Sequence, residues 1–238
     1  MYTRREAMGV VGKFVLVAGA MSVLPKTMLW ANQDFRVVSP KDAQILQEGK
    51  AKMFCPVCGM TLPMYYKTNH AADVKGKVHQ YCSIHCMHEE AMLAGEAIQN
   101  PQVVDNDSLK FIAATSAYYV VGSNKPGTMS TVSKYAFAKE ASAQNFAKEF
   151  GGEVMDYTQV SKVVSEGLSA DIQMIKKRQA KAADMGKKIY EKVCKQTPQR
   201  FTSVADAKVY LDESGICGKL KGKEFQQVGL FLAGKGSM

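Results

Sequence analysis

Residues 53–64 read MFCPVCGMTLPM and residues 79–88 read HQYCSIHCMH. All four histidines of the chain lie between positions 70 and 88, and four of its six cysteines lie between 55 and 86. The thiols fall into two pairs, Cys55-x-x-Cys58 and Cys82-x-x-x-Cys86. Two sulfurs three positions apart on a tight turn can converge on one ion, and Pro56 and Gly59 suit such a turn. Thiolate is a soft donor that selects zinc, cuprous ion or iron–sulfur chemistry. His79, His85 and His88 are borderline donors within reach, and Met53, Met60, Met64, Met87 and Met92 add thioethers. Zinc sites use Cys, His and carboxylates, whereas cuprous ion also accepts thioether. The methionines therefore tilt the choice of metal toward Cu(I), with Met60, directly after Cys58-Gly59, as the strongest of them. Any single methionine of the others reads more simply as core filling.

Other uses of these thiols stay open at the level of spacing. Cys55, Cys58, Cys82 and Cys86 can close a tetrahedral zinc site, form two disulfides, or serve thiol redox chemistry. The last lacks the βαβ surroundings of a thioredoxin-like C-x-x-C. His70, standing apart from the rest, reads as a surface or hydrogen-bonding residue.

The elements that must hold these donors follow from the rest of the chain. Its 238 residues suffice for one medium domain or two small ones once a leader is set aside. Residues 1–31 have a charged start with Arg4-Arg5 and an apolar run from Phe14 to Leu24, too short to span a bilayer and suited to a signal peptide. They imply export by a Tat- or Sec-type route, with an uncleaved membrane anchor as the alternative. Export places the thiols in an oxidising compartment, where they must pair, bind metal or be kept reduced. The formal net charge of +9 carries no basic stripe interleaved with aromatics, so no nucleic-acid partner is expected.

Residues 32–52 read as a polar connector with a short helix from Pro40 to Lys50. LKFIAATSAYYVVGS reads as strand. SKYAFAKEASAQNFAKEFGG reads as a strand and then a helix that packs Ala141, Phe146 and Phe150 and stops at Gly151-Gly152. EVMDYTQVSKVV gives a strand and a short helix, and a separate charged, Ala-rich helix runs from Ala170 to about Lys192. The fold class is α+β, a small mixed sheet with packed helices and a helical C-terminal extension. No paired carboxylates or Ser/His/Asp arrangement stands at readable spacing, so a binding protein is expected, not an enzyme.

CPVCGM, the strand AYYVVGS, KPGTMS with Met129, and YAFAKEASAQNFAKEFGGEVMDY, in this order, resemble the NosL family, accessory copper proteins associated with assembly of nitrous-oxide reductase. The resemblance spans about residues 50–165, within a metal-binding domain taken as 53–168. YCSIHC together with CPVCGM also looks like the YHS and TRASH metal-binding modules. The NosL resemblance implies a periplasmic Cu(I) carrier with nitrous-oxide reductase or its copper-delivery machinery as partner, and a fold of ββαβ-like halves. It implies Cys58, Met60 and Met129 as ligands. The additional thiols Cys55, Cys82 and Cys86, with His85, leave the ligand set open and allow a second, structural metal site. A structural zinc module for protein association and a thiol oxidoreductase are the alternative functions.

The extension, 169–238, opens with ADMGKKIYEKVCKQ and closes with ICGKLKGKEFQQVGLFLAGKG, which resemble the first and last helices of a small cytochrome c domain. No C-x-x-C-H occurs, so no haem is expected. Cys194 and Cys217 are left to form a disulfide in an exported chain, closing a loop of about twenty residues and contributing about 3 kcal/mol.

Overall fold

The computed structural model describes residues 34–220 and 222–234, so the expected leader, with Arg4-Arg5 and the apolar run, lies outside the described residues. Among the described residues no helix is long and apolar enough to cross a membrane. Strands β1 (His70–Val74) and β2 (Lys77–Tyr81) form a hairpin. Its two turn residues, Lys75 and Gly76, both have positive φ, the backbone of a type I′ turn that matches strand twist. Helix α1 (Ile84–Ala94) follows and ends at Gly95 in the left-handed region. Strand β3 (Gln99–Val104) returns beside β1, and β4 (Phe111–Ala113) adds the edge, giving the order β2-β1-β3-β4.

The second half repeats the plan. Strands β5 (Tyr118–Val121) and β6 (Lys134–Phe137) precede helix α2 (Glu140–Phe150) and strand β7 (Glu153–Met155), in the order β6-β5-β7. Each half is a ββαβ unit and the class is α+β. Helix α2 buries Ala143 and Phe146 and leaves Ala141 exposed, so its inward stripe starts two residues later than expected. Phe146 packs on Phe137 and Tyr135, at ring separations of 5.1 and 5.5 Å.

Two expected elements differ. Residues 40–50 form turns and extended chain, not a helix. Their polar backbone is satisfied by side chains instead: Tyr66 Oη accepts from Gln44 N, and Gln80 Oε1 accepts from Leu46 N. The two C-terminal helices expected around residue 170 are one helix, α3 (Tyr157–Val193), of 37 residues. It starts in a capping box between Asp156 and Gln159 and reaches about 55 Å at 1.5 Å per residue. Gly167 does not stop it, because Val160, Val164, Leu168 and Ile175 keep an apolar stripe on the metal-binding half through that region. Beyond them, Gly186 and Tyr190 face a second core.

That core is closed by α4 (Val204–Ser214) and α5 (Gly222–Gly234) around Tyr190, Phe201, Leu211, Val228 and Leu232. Helix α5 crosses α3 at Gly186, where a Cβ would stand 1.9 Å from the Gln227 carbonyl oxygen, so only glycine fits. A disulfide joins Cys194 to Cys217. Removing it with the double change Cys194→Ser and Cys217→Ser is expected to cost about 3 kcal/mol, read as a lower urea midpoint. An unchanged midpoint would show that the cross-link does not constrain the unfolded chain.

Candidate metal centre

The segment before β1 folds back on itself. A bridge pairs Phe54 with Thr61, Cys55 N donates to Met60 O, and Gly59 N donates to Cys55 O. Gly59 takes φ +70, a value that favours glycine. This turn presents Cys55 and Cys58 toward the N-terminus of α1. Cys82 ends the hairpin just before that helix, and Cys86 lies in its first turn. The helix N-terminus places partial positive charge beside two sulfurs.

The four sulfurs lie within 4.8 Å of one another. Cys58 Sγ is 3.4 Å from Cys82 Sγ, and Cys82 Sγ is 3.7 Å from Cys86 Sγ. Zinc held at about 2.3 Å by four thiolates places neighbouring sulfurs about 3.8 Å apart, so the group fits a tetrahedral ion. All four side chains are at most 1% exposed, and none is in a disulfide. Burial and the neighbouring sulfurs hold the Cys82 and Cys86 thiols well above the ordinary value. Burial alone would raise Cys55 too, but the other three thiols donate to its sulfur and draw it well below. A metal ion bound by thiolates would take the place of the thiol protons in this group.

No histidine belongs to this group. His79 Nδ1 is 3.1 Å from Glu90 Oε1 on α1. His85 turns away from the thiols: its Nε2 stands 3.5 Å from Glu89 and its Nδ1 3.8 Å from Asp171 of α3. His88 Nδ1 pairs with Ser165 Oγ. His70 hydrogen-bonds Thr68 O and Tyr119 Oη, the second of the two roles expected for it, and is buried, not at the surface. Among the methionines, Met87 is core, while Met64 and Met92 are exposed.

Met60 and Met129 have another setting. Together with Arg36, Tyr65, Arg178 and Gln226 they line an open cavity of about 280 Å³. Met129 has φ +57, an uncommon backbone for a methionine, held in the turn that connects β5 and β6. Arg36 Nη1 anchors that turn by donating to Gly127 O and Thr128 Oγ1. A larger groove of about 790 Å³ beside Phe54 and Pro56 has no sulfur donor in its lining.

The NosL family model matches residues 47–165, half of the chain. This chain belongs to the NosL family. No curated relative matches it. The crystal structure of the copper chaperone NosL from Shewanella denitrificans is similar at 22% identity and a TM-score of 0.39, over 50% of this chain and 96% of that one.

Outside the NosL-matched residues, α4 and α5 reach the cysteine turn, which the sequence reading missed. Lys208 Nζ donates to Gly59 O at 2.8 Å and to Thr61 Oγ1 at 3.0 Å. Gln226 Nε2 donates to Cys58 O at 2.9 Å. The signal was present in VADAKVYL: a lysine occupies the position between Val204 and Leu211 that the helical stripe reserves for an apolar side chain.

Proposed function

We propose that this chain is a copper-binding metallochaperone of the NosL family, exported to the periplasm, that supplies Cu(I) for maturation of nitrous-oxide reductase. The observation that carries this reading is the division made by the Cys58-Gly59-Met60 turn. On one side Cys58 belongs to a closed, buried thiolate group. On the other Met60 lines an open cavity with Met129. A closed four-thiolate group suits a resident ion, with zinc the best fit to its geometry and donor type. An open cavity with soft thioethers suits a monovalent cargo held at low coordination. Donors of the acceptor protein can enter from solvent, and the ion passes by stepwise exchange of ligands.

The burial of all four thiols disfavours the oxidoreductase alternative, which needs an accessible thiolate. The thiolate group without a transferable ion would correspond to the zinc-module alternative.

The test uses Met60→Leu and Met129→Leu, near-equal in volume to the native residues. Under anaerobic competition with a cuprous chelator, each is expected to weaken Cu(I) binding about 100-fold, about 2.7 kcal/mol, with zinc content unchanged. Copper transfer to the metal-free reductase should fall in parallel. Unchanged Cu(I) affinity in the double variant would contradict the assignment, and zinc retention with no Cu(I) binding by the wild type would favour the zinc module.

A further inference from the structure

The helical extension is built into the metal centre. Helix α4 lies so close to the cysteine turn that a Cβ on Gly59 would stand 2.4 Å from Val204 Cγ1. Lys208, on the same helix, is 1% exposed and extends beneath the turn. Its ammonium donates to Gly59 O, Thr61 Oγ1 and Gln226 Oε1, which satisfies all three protons. It also sits over the rings of Phe54 and Phe225, at 4.3 and 4.7 Å from their centroids. Gln226 then passes the contact on, donating from Nε2 to Cys58 O and lining the cavity that holds Met60 and Met129.

A fully buried lysine is uncommon because removing an ammonium from water is costly. Burial disfavours the Lys208 charge, while the nearby Cys58 and Cys55 favour it. A divalent ion held by four thiolates leaves net negative charge in the interior, and a buried cation beside it offsets that charge. Hydrogen bonds to the residues that carry ligands fix ligand orientation and tune the metal.

We propose that Lys208 and Gln226 are positioning residues for the metal centre: they hold the carbonyls of Gly59 and Cys58, and so fix the turn that carries the Cys58 thiolate and the Met60 thioether. The extension thereby sets how fast either ion leaves. This rests on the reading of Cys58 and Met60 as donors to the two ions. A NosL domain ending near residue 165 would lack this clamp.

The test is metal release from the full chain, reduced and loaded with zinc or with Cu(I), into excess chelator. Lys208→Met and Gln226→Glu are each expected to release metal about 10-fold faster than wild type at unchanged stoichiometry. Gln226→Glu separates positioning from mere support. It keeps an acceptor for Lys208 Nζ, so α5 stays attached, but it cannot donate to Cys58 O. A purely structural role predicts wild-type release in that variant. Cobalt(II) spectra should also shift in it, reporting altered thiolate geometry. Lys50→Ala, which breaks only an exposed ion pair to Glu213 of α4, should leave release unchanged. Should Lys208→Met fail to fold, Gln226→Glu alone decides. Wild-type release rates and cobalt spectra in Gln226→Glu would overturn the clamp while leaving the metal-binding reading intact. A wild-type chain that holds neither ion would overturn both.

Discussion

Cys82→Ser is expected to empty the closed site and to lower the melting temperature by about 7–23 °C. Cys82 is the contact shared by two of the other sulfurs, 3.4 Å from Cys58 and 3.7 Å from Cys86. Its carbonyl accepts from Thr68 Oγ1, so the residue also ties the hairpin end to the segment before β1. A serine hydroxyl in this apolar, fully enclosed position lacks a good partner, which costs about 1–3 kcal/mol. Loss of the ion removes about 2.7 kcal/mol more when free metal stands at about 100 times its dissociation constant. For a chain of this size each kcal/mol corresponds to about 2–4 °C. Scanning calorimetry with and without chelator checks it. Chelator should lower the melting temperature of the wild type and leave that of the variant in place. A variant with wild-type metal content and melting temperature would show that the ion sits elsewhere.

Acid should destabilise the fold well before the carboxylates protonate. Burial drives the pKa of His70 down to about 3, because the charged imidazole would have to form inside the core against Tyr119. The unfolded chain binds that proton near pH 6.5 and the folded chain does not. The stability His70 contributes is therefore complete above about pH 6.5 and is lost as pH falls toward 3. The loss is on the order of 4 kcal/mol. His88, lowered to about 4 by burial and by the charge of His85, acts in the same direction. His79 acts oppositely, since its bond to Glu90 raises it, but it is partly exposed and weak. Urea midpoints at pH 7 and pH 4 measure the difference, and His70→Gln should flatten the profile. A wild-type midpoint unchanged at pH 4 would mean that His70 is solvated.

The donors and the strand, helix and stop of residues 118–155 were legible because they are local, while the ββαβ plan of both halves came only through the NosL resemblance. The C-x-x-C turn and the Gly151-Gly152 stop each write their structure into adjacent residues, as does the Lys75-Gly76 hairpin, which the sequence analysis did not read. What escaped depends on contacts distant in sequence. Residues 40–50 have helix-forming composition, yet Gln80 and Tyr66 capture their backbone groups. The break expected near residue 170 disappears because the stripe from Val160 to Ile175 has a core to pack on. His85 was grouped with the thiols by proximity along the chain, but one helical step from Cys86 turns its ring toward Asp171. Lys208 and Gln226 lie about 150 positions or more from the turn they hold. No local pattern could connect them to it, although a lysine on the buried face of α4 was a visible anomaly.

The most direct measurement is copper K-edge X-ray absorption on reduced protein loaded first with one equivalent of zinc and then with Cu(I). Copper–sulfur scattering that vanishes in the Met60→Leu, Met129→Leu double variant, with zinc retained throughout on four sulfurs, is the expected result. Cu(I) that expels zinc from the cysteines and scatters identically in the double variant would contradict the separation of resident ion from cargo.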